Sequence, residues 1–429
     1  MVSEKQVLEA LSQIIDPDFH RDIVSLGFVQ KMNIIGASVS FEIELTTPAC
    51  PLSPVFKKQA EELVGALPDV DAVHVTMTAR KRAARPNAAE SGLRGVKNII
   101  AVSSCKGGVG KSTIAALLAK TLSQRGAQTG LLDADIYGPS IPTLFNIHHP
   151  QVFSNQQDRI LPVAVNGLKL MSFAFFTGDG PTVLRGPIVS QYIQQLLHNV
   201  EWGDLDYLVI DFPPGTGDIQ LTISQSIQID GAVIVTTPHQ LSLTDVRKGI
   251  QMFEKVNIPV LGIVENMAWF ACDNCSKKHY LFGEAGAKSL ETLFGLDTLA
   301  ELPISNALTS EYADVTTDAV IRALGRKLLA TSVPPEVEFD AQEIRLVWPD
   351  ETVRVANRTL RAACACALCI DEMSRRPILD PKTIPEDIHA LSVGRIGQYA
   401  ITVDWSDGHN TGFFPYKTIR ELARKNENG

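Results

Sequence analysis

Residues 102–113 read VSSCKGGVGKST, from Val102 to Thr113. A short apolar run, NIIAVSS, leads into this stretch, and Ile114, Leu117, Leu118 and Leu122 recur behind it at helical spacing. The order is therefore strand, glycine-rich turn, amphipathic helix, which is the setting a phosphate-binding loop of the G-x-x-x-x-G-K-[ST] type requires. The pattern places Lys111 at the β and γ phosphates, Ser112 on Mg²⁺, and the backbone N–H groups of Gly107, Gly108, Val109, Gly110 and Lys111 around the phosphate oxygens. Thr113 assists at the helix start, where the helix N-terminus favours an anion. One letter departs from the pattern: Cys105 stands where the first glycine belongs. It reads as a small residue tolerated at the loop entrance, with a transient thiol role left open.

Outward from the loop, the apolar runs TGLLDAD, YLVIDFPP, GAVIVTTP and VLGIVENM alternate with helix-length segments. This predicts a parallel α/β sheet with crossover helices. Two of the runs end in carboxylates, Asp133 and Asp135 on one and Asp211 on the other. Acidic residues at the C-terminal ends of such strands face the ligand crevice, so Asp211 is expected to be linked to Mg²⁺.

The chain divides at its composition breaks. Residues 1–80 read as a small α/β unit, 81–95 as a linker, 96–331 as the nucleotide-binding domain, 332–342 as a second linker, and 343–429 as a β-rich unit. The stretch ARKRAARPNAAESG in the first linker reads as solvated chain, with an electrostatic docking patch as the alternative. With 48 acidic against 39 basic residues the net charge is -9, which weighs against a nucleic-acid binder. The apolar runs are too short to span a bilayer and the N-terminus does not resemble a signal peptide, so a cytoplasmic or organelle-matrix protein without a membrane partner is expected.

The seven cysteines are grouped rather than scattered. Cys272 and Cys275 form a CxxC, Cys364, Cys366 and Cys369 form a CxCxxC, and Cys50 and Cys105 stand alone. Reduced, metal-binding thiols fit this better than disulfides. Two thiols are half of a tetrahedral site; a symmetric dimer would bring four together, enough for an iron-sulfur cluster or a zinc ion. A redox pair or inert buried thiols are the alternatives.

The segment KGGVGKST, with its early Lys106, resembles the deviant phosphate-loop class of septum-positioning, partitioning and nitrogenase-iron-protein-like ATPases. The resemblance implies that Lys106 reaches across a homodimer to the partner's nucleotide, that Asp135 positions the attacking water, that Asp133 belongs to the magnesium shell, and that Asn266 in ENM binds adenine. Further stretches, DADIYGPSIPTLF, LRGPIVS, EWGDLDYLVIDFPPGTGDIQLT, IVTTPHQLSLTDVRKGI and GIVENM, resemble the Mrp/Nbp35 iron-sulfur carrier ATPases. IIDPDFHRDIVSLGFV and ELTTPACPL resemble the MIP18 family, which would make Cys50 a metal-associated or simply buried thiol. The CxCxxC and the later WSDGH resemble the small zinc domain at the start of butyrobetaine-hydroxylase-like oxygenases, which implies His409 as the fourth ligand of a Zn²⁺ site, with iron as the alternative. The three together resemble the three-domain chloroplast cluster carriers. The central CxxC and the additional C-terminal cysteines depart from that type and fit a non-plant relative.

The function implied is that of an ATP-hydrolysing homodimer. It would hold a [4Fe-4S] cluster between two chains, receive it from upstream assembly proteins and pass it to apo client proteins. A ParA-like positioning ATPase and a zinc or nickel metallochaperone NTPase are the alternatives.

Overall fold

The computed structural model describes residues 2–427 except 81–90, 149, 178–185, 216, 273, 276, 284–290, 292–295, 306–308, 333–334, 349–350, 365, 367–368, 370–375, 377 and 397–399. The basic part of the first linker and Leu184 and Arg185 of LRGPIVS lie outside the described residues.

The middle of the chain is built on a nine-stranded sheet. Seven strands run parallel, in the spatial order 298–303, 260–271, 231–236, 96–103, 205–211, 129–133 and 168–172. The strands Gly231–Thr236 and Thr129–Asp133 are buried along their whole length, as continuous apolar runs covered on both faces must be. Two antiparallel additions, Val163–Val165 and Lys278–His279, make the sheet mixed rather than wholly parallel. The predicted helix runs Lys111–Gln124 and buries Ile114, Leu118 and Leu122 against the sheet. Register matters most at one row: Asp211 lies beside Val102 on one side and Asp133 on the other. The strand ends thus bring the loop strand and two carboxylates to a single edge.

The N-terminal segment forms a three-stranded sheet, Val29–Ile35, Ser38–Leu45 and Ala72–Ala79, with helices Glu4–Leu11 and Ser53–Gly65. Its central strand alternates buried and half-buried residues, the pattern of a one-sided sheet. It shares one compact unit with the nucleotide-binding domain, spanning Met1–Ile15 and Asp22–Lys327, where the Tyr207 hydroxyl donates to the Pro48 carbonyl. Residues 91–95, read as linker, are folded into this unit. Leu93 is buried, and the Gly92 N–H donates to the His198 carbonyl at 2.9 Å.

The second unit comprises Leu328–Gly429 with Asp16–Arg21. It holds two three-stranded antiparallel sheets, 336–339, 343–347, 352–356 and 390–396, 400–405, 413–415. Trp348, Trp405, Phe414 and Tyr416 fill its core, and the short helix Asn357–Ala362 and the terminal helix Tyr416–Glu427 flank it. The strand Glu336–Phe339 falls inside the stretch read as the second linker. Its glutamates and the prolines before it mask an edge strand that pairs with Glu343–Val347. Among the described residues no helix is long and apolar enough to cross a membrane.

Candidate nucleotide and metal sites

The loop between Ser103 and Lys111 takes the left-handed backbone at Gly108 (φ 78°) and Gly110 (φ 87°), which only glycine adopts without strain. It borders a cavity of about 420 Å³ lined in part by Lys106, Lys111, Ser112, Asp135 and Pro214. Lys106 and Thr113 are exposed, while Lys111 is buried. The Lys111 ammonium lies 2.5 Å from Asp211 Oδ1, 3.8 Å from Asp135 Oδ2 and 3.3 Å from the Ser112 hydroxyl. A buried ammonium cannot stay charged without such partners, so without nucleotide the acidic row acts as its counterion.

The three aspartates differ in what surrounds them. Asp133, fully buried, accepts from the N–H of Asp135 and of Ile141, both at 3.2 Å, and from the Ser172 hydroxyl at 3.1 Å. Burial, with the Asp211 charge beside it, pushes its carboxyl up to about 8. Burial also raises Asp211, against the pull of Lys111. Among the described residues the second oxygen of Asp211 is buried and makes no direct hydrogen bond, an acceptor of the kind a Mg²⁺ shell would use. Asp135 instead borders the cavity and accepts from the Gly138 N–H at 3.2 Å.

Asn266 is brought to the loop rather than to an evident base pocket. Its side-chain amide donates to the Val109 carbonyl at 2.9 Å, and a Cβ on Gly110 would meet its nitrogen at 2.2 Å. Cys105 fits the notch left by Gly249, where a Cβ would sit 2.2 Å from the sulfur. Burial pushes its thiol up to about 11, so it is a protonated packing group at neutral pH. Two loop supports are given no role by the sequence reading, although Gln220 lies within the quoted stretch ending GDIQLT. Ser172 orients Asp133, and Gln220, almost wholly buried, donates to the Pro213 carbonyl at 2.5 Å and reaches the Ser103 hydroxyl at 3.4 Å. The available signal for Gln220 was a polar residue in the first turn of a helix directly after PPGTGD.

The strand Val260–Ala271 that carries Asn266 continues beyond its parallel partners into a hairpin, pairing Phe270 with His279 and Ala271 with Lys278. Cys272 and Cys275 occupy the connecting turn, which the Cys272 N–H closes by donating to the Lys277 carbonyl at 3.0 Å. Lys278 caps the Trp269 ring at 4.3 Å. Cys272 is half-buried and Cys275 exposed, so both thiols stand at the surface end of a strand rooted beside the phosphate loop.

The C-terminal cysteines are arranged otherwise. Cys364, Cys366, Cys369 and His409 bring their ligand atoms within 4.8 Å of one another. His409 Nε2 lies 3.2, 3.6 and 3.8 Å from the three sulfurs in turn. Zn–S bonds of about 2.3 Å and a Zn–N bond of about 2.0 Å set sulfur and nitrogen roughly 3.6 Å apart in a tetrahedron, which these distances bracket. The chain therefore carries a Cys₃His metal-binding site. His389, the other histidine of residues 328–429, is engaged elsewhere, its Nδ1 paired with the Asp387 carbonyl at 2.9 Å.

Comparison with known proteins agrees with this division. Residues 95–330 match the family described as NUBPL iron-transfer P-loop NTPase, residues 4–76 the iron-sulfur cluster assembly protein family, and residues 336–420 the gamma-butyrobetaine hydroxylase-like N-terminal family. The chain is 42% identical to the chloroplastic Fe-S cluster assembly factor HCF101 of Arabidopsis thaliana, over 98% of this chain and 83% of that protein. It is 42% identical to the iron-sulfur cluster carrier protein of Synechocystis sp., over 72% of this chain and 89% of the relative. Against the carrier protein of Escherichia coli the identity is 46%, over 62% of this chain and 71% of the relative. A phosphate loop at the end of a central strand, a leading assembly-type domain and a closing Cys₃His domain thus occur together in one sequence, and the chain belongs to the Mrp/Nbp35 family of iron-sulfur carrier P-loop NTPases, in the three-domain branch of the chloroplast assembly factor.

Proposed function

We propose that two copies of this chain hold an iron-sulfur cluster between their Cys272 and Cys275 pairs and deliver it to apo client proteins under the control of ATP. The observation that carries this reading is the exposed thiol hairpin at the end of the strand whose Asn266 grips the phosphate loop. Two thiols per chain leave the cargo site half complete, so a homodimer completes it.

On nucleotide binding, Lys111 exchanges its carboxylate partners for the β and γ phosphate oxygens. Ser112 and the open oxygen of Asp211 hold Mg²⁺, which supplies charge neutralisation at the phosphates, and Asp133 backs that shell. Asp135 orients the attacking water from the cavity edge, and the exposed Lys106 serves the nucleotide of the partner copy. Movement of the loop then reaches the thiols along the Val260–Ala271 strand, a coupling between two sites in the thermodynamic sense. Asn266 adds an adenine contact to its grip on the loop. The four C-terminal ligands would hold a single Zn²⁺, because a cluster would place iron and sulfide between sulfurs that here lie within 4.8 Å of one another. Upstream assembly proteins supply the cluster, and the setting is the cytoplasm or a plastid matrix, the latter named for the Arabidopsis relative.

Anaerobic reconstitution with iron and sulfide, followed by spectroscopy and iron and sulfide counting, tests the reading. Wild type should hold one cluster per two chains, and the Cys272→Ser/Cys275→Ser variant none. A cluster that survives in the double variant sinks the ligand assignment. Retention of zinc or nickel alone at the pair would favour the metallochaperone reading, which the same exposed thiols could also serve.

A further inference from the structure

Arg361 is a buried cation, 5% exposed, on the helix Asn357–Ala362, which carries no acidic residue. It follows Leu360, a member of this unit's apolar core, and at that burial an unpaired guanidinium would be costly. Its donors go to two places. Nε donates to Asp407 Oδ2 at 2.9 Å, and a terminal nitrogen donates to Cys369 Sγ at 3.5 Å. The other oxygen of Asp407 accepts the backbone N–H of His409 at 3.0 Å. That turn depends on Gly408 at φ 82° and is closed by the Trp405 N–H donating to the His409 carbonyl at 2.9 Å. One side chain therefore bears on both halves of the ligand set: on Cys369 directly and, through Asp407, on His409, 40 residues further along the chain. Nearby, the Thr411 hydroxyl donates to Cys366 Sγ at 3.3 Å.

We infer that Arg361 is a positioning residue for the C-terminal metal: it aims Cys369 directly and His409 through Asp407, and so makes the centre a closed, slowly exchanging structural site rather than a relay for cargo iron. This rests on the Cys₃His metal reading. Three thiolates around a divalent ion carry one net negative charge, and a charge-assisted hydrogen bond to Cys369 draws part of it off the sulfur. A thiolate so engaged is a weaker nucleophile and a poorer proton acceptor, which slows both oxidation and acid-driven metal loss. The Arg361 to Asp407 pair needs no metal to form, so it can organise the ligands ahead of the ion.

The test uses the full-length chain loaded with zinc, and separately with Co²⁺ as a spectroscopic probe, in wild type, Arg361→Met, Arg361→Lys and Asp407→Asn. Zinc release to an excess of a chromogenic chelator should quicken about 10- to 100-fold in Arg361→Met, the usual effect of losing an outer partner, less in Asp407→Asn, and least in Arg361→Lys. The thiolate-to-Co²⁺ charge-transfer band should shift in Arg361→Met and return toward wild type with lysine. Should Arg361→Met fail to fold, Asp407→Asn, which keeps shape and the capping oxygen, carries the test. Folded variants that release zinc at the wild-type rate with an unshifted band overturn the inference while leaving the metal reading intact. A wild-type chain that holds no stoichiometric metal overturns both.

Discussion

The two groups of clustered cysteines are built in opposite ways, and on the proposed function they hold metal for opposite purposes. Cys364, Cys366 and Cys369 sit within one fold, two of them 2% exposed, with a histidine and an outer ring of donors already in place. Cys272 and Cys275 stand at a hairpin turn with only two ligands to offer. A complete inward-facing set suits an ion that stays, and an incomplete outward-facing set suits cargo that must leave. Completeness and burial, rather than the identity of the ligand atoms, separate the two roles.

The sharpest way to break this contrast is to cut each set in turn. Cys364→Ser should reduce zinc from one per chain to none and remove the cooperative melting of the C-terminal unit, since a structural zinc site contributes on the order of 10 kcal/mol. Cys272→Ser/Cys275→Ser should abolish cluster loading and leave the melting temperature within about 1 °C of wild type. Calorimetry with metal analysis reads both. A double variant that also loses the C-terminal transition would erase the distinction.

On the proposed function, nucleotide control of the Cys272 and Cys275 pair runs through Lys111. Lys111→Met should lower ATP hydrolysis about 1,000-fold, because the charge that meets the phosphates is lost. It should also destabilise the nucleotide-free chain by about 3–5 kcal/mol, because Asp211 and Asp135 lose their counterion. Adding Asp211→Asn should restore much of that stability without restoring hydrolysis, as denaturant titration and phosphate release would report.

A thiol belonging to neither set supplies the internal control. With its thiol pushed up to about 11 by burial, Cys105 stays protonated below that pH and becomes reactive only as the pH rises through it. At pH 8 its alkylation should be about 100-fold slower than that of an ordinary free cysteine, and should climb tenfold per pH unit up to that point. Mass-spectrometric labelling against Cys275 measures the ratio; equal rates at pH 8 would return Cys105 to the candidates for cluster chemistry.

The smallest effect expected is at Asn266. Asn266→Ala leaves the Val109 carbonyl without its donor and should weaken ATP binding about tenfold. If the residue only holds the loop, GTP binding should weaken equally, whereas an adenine contact would make the loss selective for ATP. Calorimetric titration of both nucleotides distinguishes the two roles.

The phosphate loop and the buried strands were legible because their chemistry is local: a glycine pattern needs its neighbours in sequence, and a buried parallel strand is an uninterrupted apolar run. The same holds for the CxCxxC. What could not be read is what acts across the fold. Arg361 and Asp407 are 46 residues apart, and nothing in either neighbourhood announces the other. Gln220 and Ser172 are ordinary polar residues until the sheet places Pro213 and Asp133 beside them. Residues 91–95 and the strand Glu336–Phe339 were mistaken for linker because glycine and proline mark breaks in composition, which need not be breaks in packing. For Asn266, the turn-forming residue type hid a hydrogen bond to the loop.

The cysteine that interrupts the glycine pattern has a consequence for inheritance. Its sulfur and the missing side chain of Gly249 share one volume, so position 249, 144 residues away, can gain a side chain only if the thiol is lost. A descendant that regains glycine at 105 could accept alanine at 249, and one that keeps the thiol must keep the notch. The odd letter in the loop is thus one half of a two-letter word whose other half is written on the helix Gln240–Lys255.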